Sequence, residues 1–111
     1  MNDKLAVILV SSDRKVLEMG MLFAMNVASR GWMTELKLYL FGPSEVIVAT
    51  DPDLKALLKA IIEGGTTPVA CKSCSDKYDV SDKLSEMGVE IQYIGAPVCE
   101  AIKAGFVPMT W

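Results

Sequence analysis

Residues 5–10, Leu-Ala-Val-Ile-Leu-Val, form an unbroken apolar run that stops at Ser11-Ser12-Asp13. A strand with one wet face alternates apolar and polar residues. A strand apolar on both faces must be covered on both, as in the middle of a parallel sheet. Parallel neighbours need long crossovers, usually helices, so this run points to an α/β layer fold. Ser12 or Asp13 suits the N-cap of a helix from about Arg14 to Ser29, closed by Gly31. That helix carries Val16, Leu17, Met19, Met21, Leu22, Phe23, Met25, Val27 and Ala28 around much of its circumference. It is expected to face the sheet on one side and another subunit on the other.

The alternation continues along the chain. Glu35–Phe41 reads as a second strand and Gly42-Pro43-Ser44 as a turn. Glu45–Thr50 reads as a short third strand or the end of an extended segment. Asp51-Pro52-Asp53 opens a helix whose Leu54, Leu57, Leu58, Ile61 and Ile62 recur at helical spacing, ended by Gly64-Gly65. Pro68–Cys71 is a short strand, Lys72–Tyr78 a polar loop, and Val80–Met87 a short helix closed by Gly88. Val89–Ile94 is a further strand, Gly95–Pro97 a turn and Val98–Ala104 a last helix. The tail Gly105–Trp111 forms a terminal strand or docks against a neighbour. The expected architecture is one α/β domain over residues 1–111, with a mostly parallel sheet of about five strands between helical layers.

Composition narrows the chemistry. The 111 residues are 51% apolar and 23% charged, which favours a packed core over disorder. A net charge of −3 argues against nucleic acid as a partner. No run reaches the length of a membrane span and no export signal is visible, so a cytoplasmic protein without membrane contact is expected. There is no histidine, which removes Ser-His-Asp and Cys-His activation and histidine metal sites. Neither GxGxxG nor GxxxxGK[ST] occurs, and no organic cofactor is implied.

What remains is thiol chemistry. Cys71-Lys-Ser-Cys74 is a CxxC at the carboxyl end of an expected strand, the edge where open α/β sheets gather reactive groups. Nearby positive charge favours thiolate, and Lys72 and Lys77 are close in sequence. Cys71 is then a nucleophile that attacks or accepts a sulfur atom, and Cys74 resolves it as a disulfide. Faster alkylation of Cys71 than of Cys99 would follow. Burial as small hydrophobes and zinc binding are the simpler readings; zinc would need Cys99, Asp76, Asp79 or a second subunit to complete the ligand set. A thioredoxin-type CxxC is expected soon after the first strand, whereas this one follows the fourth expected strand. Cys99, in a helix beside Val98 and Ile102, reads as a packing residue.

Four features together carry a family resemblance: the strand Leu5–Val10, the Met-rich first helix, the segment Leu40-Phe-Gly-Pro-Ser-Glu-Val-Ile-Val48, and Val69-Ala-Cys71 before a loop. Over its whole length the chain resembles the small DsrE/DsrF-like proteins, which include the TusD-type sulfur-relay subunits. The resemblance implies a flavodoxin-like three-layer sandwich, a homo-oligomer such as a trimer or hexamer, and a sulfur carrier with sulfur-donor and sulfur-acceptor protein partners. Cys71 matches the family's persulfide-bearing position, and Cys74 a second cysteine of some members. Asp76-Lys-Tyr-Asp79 stands where relatives often carry a glycine-containing run.

Ser11 and Asp13 follow the first strand and are candidates for lining a pocket, with Lys72 and Lys77; helix capping also explains Asp13. Glu45 reads as a solvated turn residue, Tyr78 as a cover over the thiols or a packing residue, and Trp32 and Trp111 as subunit contacts. Two other functions compete with the sulfur carrier. One is a non-catalytic oligomeric binding module with structural or metal-binding cysteines; the other is a thiol–disulfide oxidoreductase.

Overall fold

The computed structural model describes residues 2–111. Strand β1 (Lys4–Leu9) leads into helix α1 (Arg14–Arg30), then β2 (Glu35–Leu40), α2 (Pro43–Thr50), α3 (Pro52–Glu63) and β3 (Val69–Cys71). Helices α4 (Lys72–Lys77) and α5 (Ser81–Glu86), strand β4 (Glu90–Gln92), helix α6 (Gly95–Lys103) and strand β5 (Val107–Thr110) complete the chain. The five strands form one sheet in the order β4-β3-β2-β1-β5. Every pairing is parallel, with Val7 opposite Leu38 and Met109, and Ala70 opposite Leu40 and Ile91. This is the expected α/β three-layer sandwich, and β1 and β2 lie inside it.

The two faces of β1 are covered as its sequence requires. Leu5, Val7 and Leu9 join Leu38 and Leu40 of β2 in a core closed by Leu17, Met21, Ala24 and Val27 of α1 and Leu54, Leu58 and Ile61 of α3. Ala6 and Tyr39 face the other way, into a smaller cluster with Ile94, Ala101 and Phe106. Three successive crossovers move away from β1 in one direction. A fourth, through α6, returns across the sheet to β5, which places α6 on the second face.

Helix starts and stops follow local chemistry. Asp13 accepts from the N–H groups of Lys15 and Val16 and caps α1, while Gly31, at φ 64°, ends it in the left-handed conformation. Asp51 caps α3 through the Asp53 and Leu54 amides and pairs with Arg14 of α1, tying the two helix starts together. The tail is a strand: the Trp111 N–H donates to Ile8, and the Trp111 carbonyl accepts from Val10 and Ser11. The Trp111 ring lies against Gly20 of α1 and 5.9 Å from the Phe23 ring.

Three segments differ from expectation. Gly95–Pro97, expected as a turn, is the first turn of α6, where Pro97 is tolerated. Residues 43–50 are helix α2, not strand, despite the β-branched Val46, Ile47, Val48 and Thr50. Pro43 occupies the first turn, where its missing N–H costs nothing, and Val48 and Ala49 are buried in the main core. The Thr50 hydroxyl donates back to the Val46 carbonyl at 2.8 Å, so its polar group is satisfied within the helix. Lys72–Lys77 is the short helix α4, not a loop. Side chains hold it: Lys72 Nζ lies 2.6 Å from Asp76, Ser81 donates to Asp76 at 2.6 Å, and the Ser75 and Ser81 hydroxyls lie 2.7 Å apart.

Candidate functional site

The carboxyl ends of β2 and β3 lie side by side, and each runs straight into a helix. After β2 comes Gly42, at φ 54° and ψ −131°, a geometry that type II′ turns reserve for glycine. Ser44, fully buried, lies 2.7 Å from the Leu9 carbonyl and 2.8 Å from that of Phe41. Its single proton serves one carbonyl at a time and fixes the turn to the ends of β1 and β2. Glu45 follows in the first turn of α2.

After β3, Cys71 sits at the N-cap of α4 and Cys74 lies one turn on; both are free thiols and half-buried. Cys71 shares the α6 face of the sheet with Val69, while Ala70 points into the main core. The Gly42 N–H is directed at the Cys74 sulfur, and the Cys71 N–H at the Glu45 carboxyl. The turn after β2 and the turn after β3 thus contact each other twice.

The electrostatics follow from burial. Glu45 is 0% exposed, and neither of its carboxyl oxygens has a hydrogen-bond partner. Burial pushes its pKa up to about 8, and the Cys71 amide only partly offsets this because it does not reach good hydrogen-bond geometry. Burial also pushes the Cys74 thiol up, against the pull of the Gly42 amide; the Cys71 thiol and the Glu45 charge raise it further. The site therefore resists accumulating negative charge.

The two lysines expected beside the thiols have other surroundings. Lys72 is bound to Asp76 and lies 5.9 Å from the centre of the Tyr93 ring, and Lys77 is exposed in the last turn of α4. Neither is among the groups acting on Cys74, whose pKa goes up rather than down. Ser11 and Asp13 are on the far side of β2, where Ser11 Oγ accepts from the Asp13 N–H at 2.9 Å and Asp13 caps α1. Cys99 is exposed on α6, so the packing role expected for it is not met within the chain. Among the described residues no group of three or more Cys, Asp or Glu is arranged to hold a metal ion. A cleft of about 320 Å³ on the α6 face, lined by Lys37, Tyr39, Val69, Glu90, Gln92 and Pro97, adjoins the strand face of Cys71 but does not include the thiols.

No protein-family model matches the chain, and no curated protein matches it. Solved structures do. BT1422, a conserved protein of unknown function from Bacteroides thetaiotaomicron, superimposes with a TM-score of 0.90 at 28% identity, covering 99% of this chain and 96% of its own. The ychN protein of E. coli gives a TM-score of 0.82 at 15% identity, over 98% of this chain and 99% of its own. MTH1491, a protein of unknown function from Methanobacterium thermoautotrophicum, gives 0.71 at 15% identity, over 98% and 100%. The last two likenesses concern the fold alone. Together the three are consistent with the DsrE-like fold that the sequence resembles.

Glu45 is the residue that sequence reasoning missed; it is a buried acid, not a solvated turn residue. A signal was present. Gly-Pro opens helices as well as turns, and a single charge heading the apolar run Val46-Ile-Val-Ala is out of place unless the fold uses it.

Proposed function

We propose that the chain is a sulfur carrier that holds sulfane sulfur as a persulfide on Cys71, with Cys74 as the resolving thiol. The observation that carries this reading is the pair of adjacent free thiols at the carboxyl end of β3. In loading, the Cys71 sulfur attacks the outer sulfur of a donor persulfide. A new S–S bond forms on Cys71, the donor's S–S bond breaks, and the donor leaves as a thiol with one proton. The reading calls for protein partners that supply and take up the sulfur, a homo-oligomeric assembly, and a reducing compartment such as the cytoplasm. No membrane partner is invoked; among the described residues no helix is long and apolar enough to cross a membrane.

Thiol–disulfide exchange without a persulfide would use the same cysteines. Incubation with a small persulfide donor, followed by intact-mass measurement and site mapping, separates the two. The sulfur-carrier reading predicts a gain of one sulfur atom on Cys71, lost in Cys71→Ser. Equal loading of Cys71→Ser, or formation of the Cys71–Cys74 disulfide without any sulfur adduct, would count against it.

A further inference from the structure

Glu45 is fully buried, and among the described residues its carboxyl oxygens have no hydrogen-bond partner and no cation balances it. An acid kept in that state without compensation costs stability, so its position calls for an explanation. The titratable group that faces it is the Cys74 thiol of α4, which in turn adjoins the Cys71 thiol; from β3 it is the Cys71 amide that is directed at the carboxyl. Lys55 of α3 and Lys83 and Glu86 of α5 also lie along α2, but at its far end beside Ala49 and Thr50. The carboxyl, the Cys74 thiol and the Cys71 thiol beside it thus follow one another, away from the charged groups at the far end of α2.

We propose that Glu45 is the proton acceptor for the Cys74 thiol when Cys74 resolves a persulfide held on Cys71. This step rests on the sulfur-carrier reading above. Where Glu45 is ionised, a fraction that grows as pH rises toward 8, the Cys74 sulfur attacks Cys71 Sγ and its proton passes to the Glu45 carboxylate. The Cys71–Cys74 disulfide forms as the S–S bond to the outer sulfur breaks, and the outer sulfur leaves as hydrosulfide. Glu45 then returns the proton to the leaving sulfur, so the persulfide and the thiol become a disulfide and hydrogen sulfide with no outside oxidant. A small dithiol reductant, itself oxidised to a disulfide, restores the two thiols. The geometry suits the exchange because the turn carrying Glu45 also directs the Gly42 amide at the Cys74 sulfur. The raised pKa of both groups matches them to each other, since the site accommodates one negative charge more easily than two.

The test is hydrosulfide release from protein loaded on Cys71, followed across the neutral to alkaline range in wild type and Glu45→Gln. Release in Glu45→Gln is expected to be about 10²-fold slower, the lower end of what a positioned acid or base contributes, and to lose the inflection near pH 8. Release at the wild-type rate with an unchanged profile would overturn the proposal. Site-mapped alkylation of Cys74 in the unloaded wild type gives a second reading that needs neither the variant nor the persulfide. A two-step pH profile with its first step near pH 8 supports the coupling, and a single thiol step overturns it. If Cys71 does not load at all, the sulfur-carrier reading fails, while the alkylation profile still decides whether Glu45 and Cys74 share a proton.

Discussion

Glu45 makes stability depend on pH with a definite sign. In the unfolded chain a glutamate ionises near pH 4.3, whereas in the fold Glu45 does so at about 8. Between those values the folded state holds a proton that the unfolded state has released, so stability falls as pH rises and levels off above about 8. Glu45→Gln removes that slope. Denaturant unfolding should find the variant more stable than wild type above pH 8 by roughly 5 kcal/mol, the linkage value of a shift from about 4.3 to about 8, with the gap closing below about pH 4. Equal stability at both ends would mean that the carboxyl is not held neutral. A second expectation concerns the thiols: Cys74, half-buried and pushed up, should alkylate more slowly at neutral pH than the exposed Cys99. Cys71 and Cys74 were legible as candidates because a short strand ending in CxxC can be read from the residues. Glu45 reads as solvated despite heading an apolar run, because its burial depends on residues 43–50 turning into a helix, and their β-branched side chains point the other way.

The elements show where local propensity lost to packing. Strand β1, helix α1 and helix α3 were readable because periodicity, caps and terminal glycines agree there. Helix α2 follows its buried face instead, and α4 is too short to show a period and depends on the hydroxyl and carboxylate contacts around Ser75 and Asp76. Two glycines test the joints between elements. A Cβ at Gly42 would meet nothing within 4 Å, but its φ of 54° is strained for any other residue. Gly42→Ala should cost about 1–3 kcal/mol in denaturant unfolding and slow alkylation of Cys74, because the amide aimed at its sulfur moves. At Gly20 the problem is space: a Cβ would lie 2.7 Å from Trp111 Cγ and 3.0 Å from Leu9 Cδ2. Gly20→Ala should also lose about 1–3 kcal/mol, and an unchanged denaturation midpoint would show that the tail does not dock there.

At the scale of the molecule, the α/β class and the number of strands were legible because strands and helices alternate along most of the chain. Strand order was not, since nothing in residues 105–111 shows that the tail crosses back to pair with β1. That return leaves β5 at the sheet edge with all four residues exposed, beside an apolar groove of about 510 Å³ lined by Leu5, Phe23, Trp32, Met33, Val107 and Met109. We propose that this edge and groove meet another copy of the chain; sedimentation should find an oligomer that Met109→Lys shifts toward the monomer. Persulfide formation on Cys71 is read by intact mass with site mapping after exposure to a small persulfide donor. One added sulfur is expected on Cys71 in wild type and Cys74→Ser, and none in Cys71→Ser. An adduct that persists in Cys71→Ser, or no adduct in either of the other two, would contradict it.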